Sequence, residues 1–420
     1  MLHFLYSQIF RLVLPFLLIK LWWQGRRSPA LRQGWRERLG LVARSEQPVI
    51  WVHAVSVGET IAAAPLVRTI LERNPAQPVL TTAMTPTGSE RARALFGGRV
   101  QYAYSPYDTP GSADRFVERV RPRILVIMET ELWPNLIAAC ERRGVPVCLI
   151  NARLSERSAQ GYERVPSLAR PLLQSIRWIA AQADDDAQRF CRIGARPDRV
   201  SVTGSVKFDI DVDDEQRQSA ERLRSEWGNR PVWIAASTHD GEDEQLLEAH
   251  RRVQSRLPEA LLVLVPRHPE RFEAVGALIR SKGFRLALRS RNDAARGADV
   301  YLADTMGELT LLYGTADVAF VGGSLIERGG HNPLEPAAWG LPVVTGPHVF
   351  NFDTIYQQLS DGEAVIEVAS ERSLAEAVEQ LLAEPAQARR LGDNARAVVE
   401  ANRGALHRIV EGIETRLADQ

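Results

Sequence analysis

The sequence predicts an α/β protein built from two doubly wound domains. From Pro48 onward, short β-branched runs alternate with helical patterns, the signature of βα units whose parallel sheet is covered on both faces. The alternation breaks once, at the polar, acid-rich stretch Asp209 to Glu215, and then restarts. At 420 residues the chain is also too long for one ordinary domain.

In chain order, the first set of strands is Val49 to Val52, Val79 to Thr82, Val100 to Ala103, Ile124 to Ile127, Val145 to Ile150, Trp178 to Ala181 and Val200 to Thr203. Helices fit between most of them, for example Thr60 to Arg73 and Asp184 to Arg192. Residues 209–216 read as a linker. The second set is Val232 to Ala236, Leu261 to Val265, Phe284 to Leu288, Val300 to Leu302, Val318 to Val321, Val343 to Val344 and Ala364 to Ile366, with helical tails from Ser373 onward. Domain bounds follow as 1–24 for an anchor, 25–208 and 217–420. The last helix is allowed to pack back on the first domain.

The first 23 residues are nearly as apolar and as long as a membrane span. Arg11 and Lys20 interrupt the run, and no small-residue cleavage site comes after it. Trp22 and Trp23 suit a membrane interface, and Arg26 and Arg27 favour a cytoplasmic location for the rest of the chain. Three readings stay open: a signal-anchor span, an in-plane amphipathic helix and a core helix. Between Lys20 and Arg44 stand Lys20, Arg26, Arg27, Arg32, Arg36, Arg38 and Arg44 against Glu37 alone. This basic segment fits an anionic membrane. The chain as a whole has zero net charge, so no global field attracts nucleic acid. Cys140, Cys148 and Cys191 form no CxxC pair and read as free thiols of a reducing compartment.

The densest cluster of chemical signals is Val321 to Pro336. Gly322, Gly323, Gly329 and Gly330 permit close backbone approach and positive φ. Asn332 suits an N-cap and Pro333 a first helical turn, so the run predicts free N–H groups facing a phosphate. Glu335 is placed to accept from ribose hydroxyls. Ligands of doubly wound sheets bind beyond the carboxyl ends of the strands, and charged groups collect at those ends. Glu59 follows the first strand and is the candidate general base. A helix N-terminus would depress its pKa unless burial outweighs it. Glu129 and Glu131 follow the fourth strand. Lys207 follows the seventh and could neutralise a leaving phosphate. Arg267, after the strand ending near Pro266, adds a second cation. His53, His331 and His348 lack metal-ligand spacing, and no DxD pair follows a strand of the second domain, so a metal-independent reaction without cofactor is expected.

These residues resemble the Kdo (3-deoxy-D-manno-oct-2-ulosonic acid) transferases of Gram-negative bacteria. The resemblance rests on the N-terminal anchor, Arg36 to Gly40, His53 to Thr60, Glu129 to Asn135, Gly204 to Asp209, Pro266 to Arg271, Met306 to Glu308 and Gly330 to Pro336, in register over nearly the whole chain. It implies the GT-B fold, two Rossmann-like domains facing a cleft, the first binding acceptor and the second CMP-Kdo. It implies an inverting transfer of Kdo to a lipid A precursor on the cytoplasmic side of the inner membrane. Glu59 would be the base, and Glu129 and Lys207 would stabilise the transition state. Pro266, Arg267, Met306, Gly307, Glu308, Asn332, Pro333, Leu334 and Glu335 would form the CMP pocket. A GT-B enzyme using a UDP-sugar and another lipid-linked acceptor is the alternative, separable by comparing CMP and UDP binding. The apolar N-terminus argues against a sugar-nucleotide epimerase of the same fold. Glu59, Lys207 and the Gly-rich loop argue against an inactive membrane scaffold.

Overall fold

The computed structural model describes residues 2–26 and 32–418, so Arg27 of the basic segment lies outside the described residues. The chain divides into two units, Met1–Asp209 with Arg403–Gln420, and Ile210–Asn402. In the first unit the strands are β1 (Val49–His53), β2 (Val79–Ala83), β3 (Gln101–Tyr104), β4 (Pro122–Met128), β5 (Val147–Ala152), β6 (Trp178–Ala181) and β7 (Val200–Val202). They form one parallel sheet in the order β3-β2-β1-β4-β5-β6-β7. The order reverses between β1 and β4. Such a switch point opens a crevice beyond the strand ends.

The second unit repeats the plan. Its strands are β8 (Val232–Thr238), β9 (Leu261–Pro266), β10 (Leu286–Leu288), β11 (Val300–Leu302), β12 (Val318–Val321), β13 (Val343–Thr345) and β14 (Val365–Glu367). Their order is β10-β11-β9-β8-β12-β13-β14, again all parallel. Here the switch point lies between β8 and β12. All fourteen predicted strands are present within two residues of their expected bounds. The central strands β1 and β8 are buried along their whole length, which is why they read as unbroken apolar runs. Apolar side chains pack on both faces of each sheet.

One boundary differs from expectation, and one packing that the sequence allowed is realised. The acid-rich stretch is a linker only in its first half. Asp213 closes a capping box with Gln216, so Asp214 and Glu215 already begin the helix Asp214–Trp227. The C-terminal helix Ala405–Ala418 belongs to the first unit, where Ala405, Ile409, Val410 and Ile413 join the core under β1. Asp209 fixes its start, accepting from the Gly404 and Leu406 amides at 2.6 Å each.

The N-terminal helix Leu2–Gln24 is not a core helix. Phe4, Leu12, Phe16, Ile19, Trp22 and Trp23 are all more than half exposed. Its first turns are nevertheless tied to the first unit. Tyr6 donates to Asp108 at 2.8 Å and Ser7 to Asn135 at 2.8 Å, and His3 lies 3.1 Å from the same Asn135 oxygen. The basic segment is less uniform than it reads. Arg38 is buried, donates to the Met84 carbonyl and stacks over Tyr104 at 4.3 Å, so it is not a surface cation.

Candidate active site

Glu59 sits beyond β1 at the first switch point, in the first turn of the helix Val57–Arg73. That helix starts three residues earlier than predicted, because Ser56 caps it and accepts from the Glu59 amide at 3.2 Å. The Ser56 hydroxyl donates to one Glu59 carboxyl oxygen at 2.8 Å, and the Val55 amide donates to the other at 2.9 Å. The side chain is buried. Burial pushes its pKa up from 4.5 to about 7, against the two hydrogen bonds, and Glu131 and Glu129 raise it further. The competition posed by the helix terminus is therefore won by desolvation.

Glu129 is the neighbour across the switch point. It follows β4 directly and has φ 55°, a left-handed conformation that costs a non-glycine residue free energy. Its amide is held by the Ile150 carbonyl at 3.0 Å. Glu131 accepts from the Trp133 indole at 2.8 Å. The charges of Glu131 and Glu129 act on Glu59, so the three carboxylates lie in one group.

Lys207 starts far away. It follows β7, four strand spacings from β1, or about 19 Å along the sheet. The chain folds back through the short turn Val206–Phe208, where the Val206 amide donates to Asn151 of β5 at 3.2 Å. That bond returns the loop to within two strand spacings of β1. Asn151 is itself left-handed, with φ 49°, and fully buried. It is a positioning residue that no sequence motif marks, and only its place at the end of a central strand hints at it. His53 is buried within β1 between Thr82, at 2.9 Å, and the edge of Trp133, as expected of a packed histidine. Burial lowers its pKa to about 3, so it stays neutral.

In the second unit, Pro266 ends β9 and Arg267 follows it, exposed, with its amide on the Thr238 carbonyl at 3.0 Å. Met306 and Gly307 lie beyond the adjacent β11. Met306 is 57% exposed, an apolar surface available to a flat ring. Glu308 is engaged already: Arg289 donates to it from Nη2 at 2.7 Å, and Thr305 donates to it as well. Glu335 is half-buried; burial raises its pKa, opposed by hydrogen bonds from Asn332 and Thr310 and by the charge of Arg267. Thr310 reaches Glu335 at 3.5 Å. Arg267, the loop Met306 to Glu308 and the segment Asn332 to Glu335 are therefore brought to one place. The recess of about 540 Å³ lined by Ser219, Arg222, Asn292 and Tyr301 lies outside it, though Arg289 borders both.

The Gly-rich loop departs from its predicted role. The helix after it runs only from Leu334 to Trp339, and Pro333 rather than Asn332 occupies its N-cap. Asn332 still accepts from the Leu334 amide at 3.1 Å. Six residues carry little aligned dipole, so a phosphate site resting on that terminus loses its main support. The N–H groups from Gly322 to Leu325 are occupied too. Glu242, fully buried, accepts from the amides of Gly323 at 2.8 Å, Ser324 and Leu325 at 3.1 Å each, and His239 at 3.3 Å. A Cβ at Gly322 would stand 2.8 Å from the carbonyls of Ala236 and Ser237. The glycine there admits the end of β8 and an internal carboxylate, not a ligand. Among the described residues no group of three or more His, Cys, Asp or Glu side chains is arranged to hold a metal ion.

Residues 33–210 match the family model described as 3-deoxy-D-manno-octulosonic-acid transferase (kdotransferase), and residues 244–398 match that of the glycosyl transferases group 1. The chain is 42% identical over 415 residues to the 3-deoxy-D-manno-octulosonic acid transferase of Haemophilus influenzae, covering 97% of each. It is 38% identical over 424 residues to the Bordetella pertussis protein of the same name, covering 97% of this chain and 98% of that one. A UDP-GlcNAc 2-epimerase structure from Neisseria meningitidis superposes with a TM-score of 0.57 at 16% identity, over 88% of this chain and 100% of that one. At that identity the likeness shows the fold alone.

Proposed function

The chain belongs to the 3-deoxy-D-manno-octulosonic acid (Kdo) transferase family, and from that premise we propose that it transfers Kdo from CMP-Kdo to a hydroxyl of a lipid A precursor, with inversion and with Glu59 as base. The observation that carries the mechanism is the buried Glu59 carboxyl with a pKa near 7 beside two further carboxylates. A base of that strength is half ionised at neutral pH and holds an abstracted proton far better than a solvated carboxylate. The acceptor oxygen attacks the anomeric carbon, its proton passes to Glu59, and the bond from that carbon to the phosphate oxygen breaks. CMP leaves with the bonding electrons. Lys207 supplies positive charge to the leaving phosphate, and Glu129 orients the reacting sugar. Arg267, Met306, Gly307, Asn332 and Glu335 would hold CMP, with Pro266, Pro333 and Leu334 as their backbone frame. Glu308 acts through Arg289.

The N-terminal helix supports work at a membrane surface. It is long and apolar enough to cross a bilayer, and little of its apolar surface is buried. We favour an in-plane placement. Tyr6 and Ser7 bind the first unit at one end of the helix, and the chain rejoins that unit at Arg38 soon after the other. A span would have to send Arg26 and Arg32 back through hydrocarbon, which a bilayer strongly opposes. The location proposed with this activity is the cytoplasmic face of the inner membrane. The test is direct: purified protein with CMP-Kdo and lipid A precursor should give products heavier by whole Kdo residues by mass spectrometry. UDP-sugars should give none. Absence of Kdo-bearing product would refute the assignment.

A further inference from the structure

Three histidines of the second unit stand together outside the residues assigned so far. His239 follows β8, His268 follows β9 and His331 lies in the loop after β12. The strands β9, β8 and β12 are neighbours, so all three arrive at one rim. His239 Nε2 and His331 Nε2 are 2.8 Å apart, and the rings are stacked within 6° of parallel with centroids 5.1 Å apart. His268 meets His239 edge-on at 5.4 Å. One Nε2 must carry the hydrogen that the other accepts. The donor ring then keeps a free Nδ1, the one place where the pair can take an additional proton.

Their surroundings are cationic. His268, Arg328, Arg271 and Arg267 act on His239, and His239, Arg267 and His268 act on His331. Together with burial, the larger cause, they hold both rings near a pKa of about 4. The nearby carboxylates are committed elsewhere. Glu242 is saturated by backbone amides, Asp243 is paired with Arg271, and Glu270 lies 4.0 Å from the exposed His268. Glu335 feels Arg267 but is bonded to Asn332 and Thr310. Among the described residues, the Arg267 and Arg328 guanidiniums have no ion-pair partner. A rim with two guanidiniums outside any ion pair and a neutral imidazole pair is suited to an anion.

We propose that the His239–His331 pair, with Arg267 and Arg328, receives the anionic phosphate of the nucleotide donor, and that the pair takes up a proton as the phosphate binds. The inference rests on the donor-site reading above and adds the group that answers the phosphate charge. It also relocates the phosphate from the Asn332 terminus to the other side of the Gly-rich loop. The added proton turns a neutral ring into a charge-assisted donor when the ligand arrives.

Calorimetry on the full chain tests it, with CMP, cytidine and inorganic phosphate titrated at pH 6 in two buffers of different ionisation enthalpy. CMP should bind more tightly than cytidine, and inorganic phosphate should compete with CMP. The parent should take up more protons per CMP than His239→Gln or His331→Gln. Each variant should lose about tenfold in CMP affinity, the value of one charge-assisted hydrogen bond, with cytidine affinity unchanged. If the variants keep parental CMP affinity and proton uptake, the inference is overturned. It is also overturned if the parent binds cytidine as tightly as CMP, though the donor site would then stand. If the parent binds no CMP, the donor-site reading itself falls. Should a variant fail to fold, histidine ring titration by NMR on the parent decides. CMP must raise the pKa of one ring of the pair, and an unchanged titration refutes the proposal.

Discussion

As the proposed base, Glu59 should give a pH dependence that an ordinary glutamate would not produce. A base acts only when ionised, and burial raises this group from 4.5 to about 7. At pH 5 a carboxyl with a pKa of about 7 is ionised in only about one molecule in a hundred, whereas one at 4.5 is mostly ionised. With donor saturating, kcat/KM for the acceptor should therefore fall about 100-fold from its alkaline plateau to pH 5, with unit slope below the midpoint. Glu59→Gln should lower the plateau by about 100-fold or more, the usual value of a positioned base, and abolish the limb. CMP affinity, measured alongside, should be that of the parent, which separates lost chemistry from lost fold. The same shift has a consequence for stability. The folded state holds this proton more tightly than the unfolded chain, so the contribution is fully present below about pH 4.5 and is lost as pH rises through about 7. Activity and this contribution thus run in opposite directions across one window. A parent profile flat between pH 5 and 8, or a limb that persists in Glu59→Gln, would refute the assignment.

Three other perturbations test the contacts. Glu242→Gln sets an amide NH₂ against backbone N–H groups and should destabilise the second unit by about 3 kcal/mol, read by urea denaturation; an unchanged midpoint would contradict the role given to that carboxylate. Tyr6→Phe removes one of the partners of Asp108 and should cost about 1 kcal/mol while exposing the first turns of the helix to limited proteolysis, unless the helix is held by apolar contacts alone. Replacing Arg26 and Arg32, which lie against Trp22 at the end of the helix, by Gln should reduce co-sedimentation with anionic vesicles, more at low salt than at high salt. Equal sedimentation across the salt series would remove the charge from the membrane contact.

The sheets were legible because parallel strands buried on both faces leave unbroken apolar runs, as Val232 to Ala236 does. Ser56 and Glu59 also form a readable S-x-x-E signature, which would have started the helix at Val57 rather than Thr60. The misread places share a cause. Glu242 is some eighty residues from the loop it fills, and no local pattern in Gly322 to Leu325 says whether the anion in that nest is a ligand or a side chain. Arg38 reads as one more cation of a basic segment, and only the tertiary contacts with Met84 and Tyr104 remove it from the surface. Lys207 required a long-range bond from Asn151 to return it from the sheet edge.

Glu59 and Glu242 pose the same problem at equivalent places, each a buried carboxyl beyond the central strand of its sheet and next to a switch point. Hydrogen-bond capacity tells them apart. A carboxylate has about four lone-pair sites. Glu242 fills them with four backbone amides, all fixed by the fold, and has nothing left to offer a substrate. Glu59 accepts one amide and one hydroxyl, one on each oxygen, so each oxygen keeps a site for an incoming proton. Burial raises the pKa of both. Only at Glu59 does the raised pKa come with room to use it. The proposed base is therefore the carboxyl that the fold leaves half satisfied, and its fully satisfied counterpart holds the Gly-rich loop in shape.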